Sequence, residues 1–281
     1  MNKDRSNYLV NIVDGVKGRI KSTLSNPNKK AELTWLKIKR LKHLPYNRPG
    51  TYPFAGSRIF FKNGPELLHS LHEIFVEDIY NVPFGISTPY IIDCGANIGL
   101  SVIYHKLKTP GATVVAFEPD AANFELLEKN VHSFNLDKVE LRNEAVWKEN
   151  TTLQFVSDGT LGSKLQKREV ANTTVSVRAT RLNDMLSRKV DFLKIDIEGA
   201  EYEVLKDCSG SLHRVENLFI EFHGHFQRMY ELTEILQIVE KSGFSYYIKE
   251  ASNVYPTPFN RQGLQRDYDI QQNIFCFRIP K

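Results

Sequence analysis

The sequence predicts an α/β fold with a doubly wound, mostly parallel sheet over residues 86–281, preceded by a mainly helical N-terminal region over residues 1–85. Two observations predict it. From Pro89 onward, short apolar runs alternate with amphipathic stretches of helical period, which is typical of a parallel sheet covered by helices. Between the last two apolar runs, a segment rich in Pro, Asn and Gln shows no helical pattern, so the last strand should pair antiparallel.

Three elements are expected in the N-terminal region. Residues 27–50 predict a basic amphipathic helix, because leucines recur near helical spacing between Lys and Arg, and a Pro-Gly pair ends the stretch. A short strand at 58–61 and a helix at 66–80 follow, the helix with apolar residues along one face. Together they form a predicted N-terminal cap.

Strands and helices alternate in the α/β domain. The predicted strands lie at 89–93, 113–119, 139–146, 151–156, 173–179, 190–196, 217–223, 244–249 and 273–279, and the predicted helices at 99–108, 121–134, 199–208 and 226–242. This alternation places most strands parallel in one sheet. The carboxyl ends of parallel strands share one edge of the sheet, which is where open α/β folds bind ligands.

Positive charge is concentrated near the N-terminus. Residues 1–50 contain twelve Lys or Arg and three Asp or Glu, in a chain with a net charge of +4. Such a segment could bind an anionic membrane surface, a phosphorylated or lipid-linked substrate, or RNA, or it could be a solvated helix face. We expect peripheral membrane contact through residues 27–50 and no specific nucleic-acid partner.

The cysteines and the hydropathy indicate a compartment. Cys94, Cys208 and Cys276 are an odd number, far apart in sequence and without a C-x-x-C pair, which fits a reducing environment. The first residues lack the apolar core of a leader peptide, and eighteen uncharged apolar residues never follow one another. The expected location is therefore cytoplasmic, with membrane association through the basic segment as an option.

A glycine-bearing turn follows the first strand of the α/β domain. Gly95 and Gly99 allow a sharp turn and the close approach of a ligand. Asp93, at the carboxyl end of the strand, could accept hydrogen bonds from the ammonium group of a methionine-derived ligand, a group that a pyrophosphate lacks. Asn97 stands where a dinucleotide fingerprint has its second glycine. The turn therefore favours S-adenosylmethionine over a dinucleotide, with a purely structural turn as the alternative.

Glu118 is the second expected cofactor contact. It ends the next strand, 25 residues after Asp93, where an acid can accept hydrogen bonds from both ribose hydroxyls of an adenosine. Pro119, also expected at the cofactor, then turns the chain toward a helix. Asp120 is a natural N-cap for that helix, which is enough to explain its presence.

The segment 143–147 is expected to close the third strand at the same edge, near the adenine of such a ligand. Glu144 and Ala145 are therefore predicted cofactor contacts, whereas Trp147 is expected in the core. Small and polar residues at 157–163 predict loops over the cofactor, although a plain hairpin turn explains them almost as well.

The strand at 190–196 delivers ionisable side chains to this edge. A period of two puts Lys194, Asp196 and Glu198 on one side of the strand. Such groups are costly to bury unpaired, so they must pair, bind a polar ligand or face water. Asp196 is expected to contact both cofactor and acceptor. Lys194 is a catalytic candidate, and its pairing with a carboxylate is the structural alternative.

The strand at 217–223 ends in Glu221 and His223, which share a face. An imidazole with a pKa of about 6.5 can accept a hydroxyl proton as the oxygen attacks a methyl sulfonium, and a nearby carboxylate can orient it. Asp196, Glu221 and His223 also make a plausible set of ligands for Mg²⁺ or Mn²⁺. Catalysis without a metal is preferred here, and His225 is expected to be exposed at a helix start.

Taken together, these segments resemble the FkbM family of methyltransferases. The pattern of that family is D-x-G-A-N-x-G, F-E-P, N-x-A, K-x-D-x-E-G-x-E and E-x-H. The chain carries all five parts in this order, at 93–99, 117–119, 143–145, 194–201 and 221–223. The resemblance covers about residues 89–225. One departure is the segment Leu182-Asn183-Asp184 at a helix start, where the family usually has Leu-Asp before the K-x-D strand.

The resemblance implies a Rossmann-like fold of the class I methyltransferase type, S-adenosylmethionine as methyl donor, and O-methylation. The acceptor would be a small molecule or a glycan: a hydroxyl of a sugar or of a glycosylated natural product. Divergent N-terminal regions in that family fit a substrate-selecting cap over residues 1–85. Two alternatives stay open from the residues alone: a nicotinamide-dependent oxidoreductase on a similar sheet, and an RNA- or membrane-binding module that acts through the basic N-terminus.

Overall fold

Strands and helices alternate along most of the chain. The structure, a computed structural model, describes residues 27–156, 174–261 and 266–279. The strands are β1 (Gly50–Phe54), β2 (Ser57–Phe61), β3 (Tyr90–Cys94), β4 (Thr113–Phe117), β5 (Val139–Arg142), β6 (Ala145–Trp147), β7 (Thr151–Val156), β8 (Thr174–Arg181), β9 (Val190–Ile195), β10 (Val215–Gly224), β11 (Ser245–Glu250) and β12 (Ile270–Phe277). The α-helices are α1 (Trp35–Lys42), α2 (Gly64–Leu71), α3 (Leu100–Lys108), α4 (Ala121–Ser133), α5 (Leu182–Met185), α6 (Glu201–Cys208) and α7 (Tyr230–Lys241).

Seven strands form the main sheet, in the order β11-β12-β10-β9-β3-β4-β5. Strands β5, β4, β3, β9 and β10 are parallel to their neighbours in this series, and β12 runs antiparallel to both β10 and β11. The chain starts at β3, fills one side with β4 and β5, and then returns to β9 on the other side. The predicted α/β fold with an antiparallel last strand is confirmed, and its switch point lies between β3 and β9.

The chain folds into two compact units. The N-terminal unit contains the described residues 27–56 and 61–79, and the C-terminal unit contains 57–60 and those from 80 onward. The boundary drawn from the sequence at residue 85 stays a prediction. Among the described residues, no helix has both the length and the apolar content needed to cross a membrane.

The basic helix predicted over 27–50 is much shorter in the structure. A 3₁₀ turn occupies Pro27–Ala31, and α1 begins only after Thr34, whose side chain accepts a hydrogen bond from the N–H of Lys37. After α1 the chain reaches strand β1, which the sequence pattern does not predict because its stretch contains Gly and Pro. The helix predicted over 66–80 is α2 followed by a π turn at His72–Val76.

The strand predicted over 139–146 is also broken in the structure. Only β5 joins the main sheet, and β6 pairs with β8 in a separate sheet of order β6-β8-β7. Asn143 lies at the break, and its side-chain amide donates hydrogen bonds to the carbonyl oxygens of Glu118 (2.8 Å) and Pro119 (3.3 Å). These bonds hold the chain where it leaves the main sheet.

Buried polar groups fix the loops above the main sheet. Asn130 of α4 is fully buried, and its side chain donates to the carbonyl oxygen of Ile98 at 2.7 Å and bonds both backbone groups of Phe60. Because unpaired buried amides are costly, these bonds hold the turn after β3 in one position.

Strand β9 is buried along its whole length and lies at the centre of the core.

Candidate active site

The predicted glycine turn lies at the carboxyl end of β3, against the end of β9. Gly95 has a φ of +88°, and a Cβ built there would lie 1.8 Å from the backbone oxygen of Asp196. The N–H groups of Gly95 and Ala96 both donate to the carbonyl oxygen of Phe117, at 3.0 and 2.8 Å. A side chain at Gly95 is therefore excluded by the neighbouring backbone. Gly99 is also at φ +88°, and a Cβ built there would lie 2.6 Å from Cδ1 of Leu127, so its first role is helix packing.

Glu118 lies beside this turn and is almost completely buried. Its two carboxylate oxygens accept hydrogen bonds from the N–H groups of Asn97 (2.8 Å) and Asp120 (2.9 Å). Burial raises the pKa of Glu118 to about 7, although both N–H groups act to lower it. Each carboxylate oxygen has a second acceptor position, so the pair of ribose hydroxyls expected here remains compatible with the geometry. The neighbouring Asp120 is an N-cap, as predicted: it accepts from the N–H of Asn123.

Lys194 joins the turn to the end of β9. Its buried ammonium group lies 2.7 Å from the carbonyl oxygen of Gly95, 3.2 Å from Oδ1 of Asp93 and 3.1 Å from Oδ2 of Asp196. Burial lowers the pKa of Lys194, but the charges of Asp196 and Asp93 outweigh it and hold the pKa well above its usual range. The other oxygen of Asp93 accepts from the hydroxyl of Ser101. The sequence predicts that Asp93 binds the ammonium group of a ligand. In the structure, the ammonium group of Lys194 is its partner.

His223 is the centre of a second cluster, at the carboxyl end of β10. Its buried ring has Nδ1 3.1 Å from Oε1 of Glu201, and Nε2 3.6 Å from Glu221 and 3.7 Å from Glu198. Burial lowers the pKa of His223, but Glu201, followed by Glu198 and Asp196, raises it to about 10. A pKa raised in this direction by the surrounding carboxylates favours the imidazolium form of the ring at neutral pH. In that state it donates hydrogen bonds and carries positive charge, and it does not accept a proton.

Glu201 positions this cluster. It is buried at the start of α6, and the oxygen that contacts His223 also accepts from the N–H groups of Ile197 and Gly199, both at 3.1 Å. The sequence pattern contains Glu201 but gives it no role, because reading alternate strand positions stops at Glu198. Its place as the last acid of the K-x-D-x-E-G-x-E pattern was the available signal.

Tyr268 covers the ring of His223. The two ring centroids are 4.7 Å apart, and the Tyr268 hydroxyl donates to the carbonyl oxygen of Glu198 at 2.8 Å. Glu198 has a left-handed φ of +55°, and burial raises the pKa of its carboxyl to about 7. No sequence pattern marks Tyr268. His225, expected to be exposed, is partly buried, with Nδ1 3.9 Å from Asp269.

Asp196, Glu221 and His223 come together, as the sequence predicts. One ligand atom from each lies within 4.8 Å of the others. The contact of Nδ1 with Glu201 leaves Nε2 of His223 facing the two carboxylates, and this is how histidine ligands of metal ions are commonly oriented. The three side chains could therefore hold a divalent cation, or act on a substrate hydroxyl without one.

Of the two expected adenine contacts, Ala145 lies in β6 of the separate three-stranded sheet, and Glu144 directly precedes that strand. Glu144 accepts from the hydroxyl of Thr180 and lies 3.4 Å from the guanidinium of Arg178. Ala145 is fully buried in the small core of that sheet. Trp147 packs on the core, as predicted. The loops predicted at 157–163 lie outside the described residues.

The doubly wound sheet with its antiparallel β12 has the fold of the Rossmann-like, class I methyltransferases. The chain belongs to the FkbM methyltransferase family, because the family profile, Methyltransferase FkbM domain, matches residues 93–246. The predicted family is thus confirmed.

Related proteins are similar to this chain over part of their own length. Methyltransferase 1 of Beauveria bassiana is 29% identical over 166 residues, which are 50% of this chain and 66% of that protein. The 31-O-demethyl-FK506 methyltransferase FkbM of Streptomyces tacrolimicus is 24% identical over 60% of this chain and 79% of its own. The crystal structure of methyltransferase FkbM from Methylobacillus flagellatus KT is 15% identical, with a TM-score of 0.46 over 86% of this chain and 58% of that one.

Replacement of Gly95 by Ala should destabilise the protein. The new methyl group would collide with the backbone oxygen of Asp196, and the φ of Gly95 disfavours a side chain. We expect a loss of at least ~2 kcal/mol in the free energy of unfolding, measured with urea. Gly85→Ala is the matched control, since a Cβ there has no neighbour within 4 Å, and it should change stability little. Equal stability of the two variants would contradict the contact.

The Glu201→Gln variant should lower the pKa of His223. The substitution keeps the shape of the side chain but removes the charge that raises this pKa most, so that burial dominates. We expect the pKa to fall from about 10 toward neutrality, followed by NMR of the histidine rings. Glu216→Gln, on the surface at the start of β10, should leave it unchanged. A His223 pKa that is the same in both variants would show that Glu201 does not set the charge of the ring.

Proposed function

We propose that this protein is an S-adenosylmethionine-dependent O-methyltransferase that methylates a hydroxyl of a sugar, a glycan or a glycosylated natural product. One observation carries the proposal: Asp196 belongs to both clusters of the site. One of its oxygens binds Lys194, which also holds the glycine turn, and the carboxylate lies within ligand distance of Glu221 and His223. A cofactor bound at the turn would therefore face groups able to handle a hydroxyl proton.

The expected cofactor seat consists of backbone turns and one acid. The turn from Gly95 to Asn97 brings backbone groups to the carboxyl edge of the sheet, and Glu118 is fixed there by two N–H groups. An acid at the end of the second strand suits the ribose diol of an adenosine. Family membership and this arrangement together support S-adenosylmethionine as the cofactor. The bound cofactor supplies a methyl group on a sulfonium.

The protein would act mainly by position and charge. As the acceptor oxygen attacks, its bond to the methyl carbon forms, the carbon–sulfur bond breaks, and the hydroxyl proton leaves to a base. The charged ring of His223 is better suited to stabilise the developing oxyanion than to take that proton. The base is then a carboxylate beside Nε2, Glu198 or Glu221. This revises the role expected for His223 from the sequence and keeps it in contact with the acceptor.

A divalent cation is a second way to use the same side chains. Such a cation would displace the Nε2 proton of His223; Asp196, Glu221 and the freed Nε2 would then hold it, and it would polarise the acceptor hydroxyl. The orientation of His223 by Glu201 supports this alternative.

Calorimetric titration should show binding of S-adenosylmethionine and S-adenosylhomocysteine in the micromolar range. Glu118→Ala should weaken the binding of both ligands by about tenfold or more, because the expected hydrogen bonds from the two ribose hydroxyls to the carboxylate are lost. Glu125→Ala, an exposed position on α4, is the control and should bind like the wild type. Titration of the protein with Mg²⁺ tests the divalent cation. Heat of Mg²⁺ binding in the wild type that is lost in Glu221→Gln would support a cation site. No heat from either ligand in a folded sample would overturn the cofactor assignment.

Methyl transfer should depend on His223. Turnover on a panel of sugars and glycosides, followed as release of S-adenosylhomocysteine with mass spectrometry of the product, should fall by ~10²-fold or more in His223→Ala. Its affinity for S-adenosylmethionine should stay near that of the wild type. His213→Ala, at an exposed position, serves as the control. Turnover that is unchanged by His223→Ala would remove the residue from the mechanism.

A further inference from the structure

Helix α1 of the N-terminal unit exposes large apolar side chains. Trp35 and Leu36 are each 69% exposed, and Tyr46 after the helix is 73% exposed. Single apolar residues on a surface are ordinary. Here an indole and an isobutyl group follow one another at the start of the helix, while Leu41 on its other side is buried in the N-terminal unit.

The same helix is strongly cationic. From residue 33 to residue 56 the chain contains five Lys or Arg and no Asp or Glu. Lys39 and Arg40 lie one turn after Trp35 and Leu36, so each apolar side chain has a cation next to it on the helix surface. Nζ of Lys39 is 5.2 Å from the ring centre of Trp35. Apolar groups and cations thus face outward together.

A cavity of about 360 Å³ adjoins α1 within the N-terminal unit. Its lining includes the cationic side chains of Lys37, Arg40 and Arg48 and the apolar side chains of Leu44 and Phe61. Lys37 shares its charge with Glu32, at 3.8 Å. Cations and apolar side chains in the lining of one cavity suit a phosphate that carries an organic group, as in a phospholipid head.

We propose that α1 docks the protein on an anionic phospholipid membrane. Trp35, Leu36 and Tyr46 would enter the boundary between headgroups and acyl chains, and the cations of α1, with Arg48, would meet lipid phosphates. A helix in this position lies in the interface and does not cross it, which agrees with its length of eight residues. The exposed Leu36 favours a membrane over RNA, because nucleic acids are bound through aromatic stacking and positive charge, and an aliphatic side chain contributes to neither. This proposal does not depend on the methyl transfer proposed above.

Intrinsic fluorescence offers a direct test, since the chain has two tryptophans, Trp35 and Trp147. In full-length Trp147→Phe, phosphatidylcholine vesicles with 30% phosphatidylserine should shift the emission of Trp35 to shorter wavelength, and brominated lipids should quench it. Full-length Trp35→Phe, which keeps Trp147, should show neither effect. Absence of shift and quenching in Trp147→Phe, or equal changes in both variants, would overturn the proposal.

Vesicle sedimentation tests the charges independently. Lys39→Gln with Arg40→Gln should weaken binding to the same anionic vesicles by about tenfold or more, because each cation near such a surface contributes on the order of 1 kcal/mol. The double variant Lys129→Gln with Lys241→Gln removes the same charge from exposed positions of the C-terminal unit and should bind normally. Equal weakening in both, or binding to single-stranded RNA in place of vesicles, would contradict docking through α1.

Discussion

The ammonium group of Lys194 holds the active-site region together. It lies at the switch point of the sheet, between the carboxylates of Asp93 on β3 and Asp196 after β9, and it binds the carbonyl oxygen of Gly95 as well. These groups are acceptable at such depth only as a set, because removal of one member leaves an uncompensated charge. One interaction therefore fixes both the turn that is expected to hold the cofactor and the carboxylate that is proposed to face the acceptor.

The second cluster follows a similar rule with the charges exchanged. Several carboxylates surround the ring of His223, and their negative charges raise its pKa, which favours the protonated form. Glu201 fixes its orientation from α6, while the backbone of Ile197 and Gly199 fixes Glu201. A site of this kind is arranged before any substrate arrives, which is the condition for electrostatic stabilisation of a transition state. Catalysis would then depend on how well these bonds keep His223 in place.

Much of the fold could be predicted from local patterns, since buried parallel strands and amphipathic helices leave clear periods in the sequence. The same periods brought Asp196, Glu221 and His223 to one edge correctly. The strand at 139–146 was predicted as continuous because the break after β5 is held by hydrogen bonds of Asn143 that no strand pattern contains. The helix predicted at 27–50 was too long, because the spacing of the leucines does not show that the helix begins at Trp35 and ends at Lys42. Tyr268 contacts a backbone oxygen 70 residues earlier, and such long-range contacts have no local signature.

The position of Tyr268 has a consequence for how related enzymes could diverge. It comes from the connection between β11 and β12, outside the parallel strands that carry Lys194 and Glu201, and it meets Glu198 through a backbone oxygen, which any residue would provide. The side chain over His223 thus belongs to a different segment of the chain from the strand and the helix that carry Lys194 and Glu201. Substitution at Tyr268 would change the surroundings of the ring from above, and the charged framework below would stay intact.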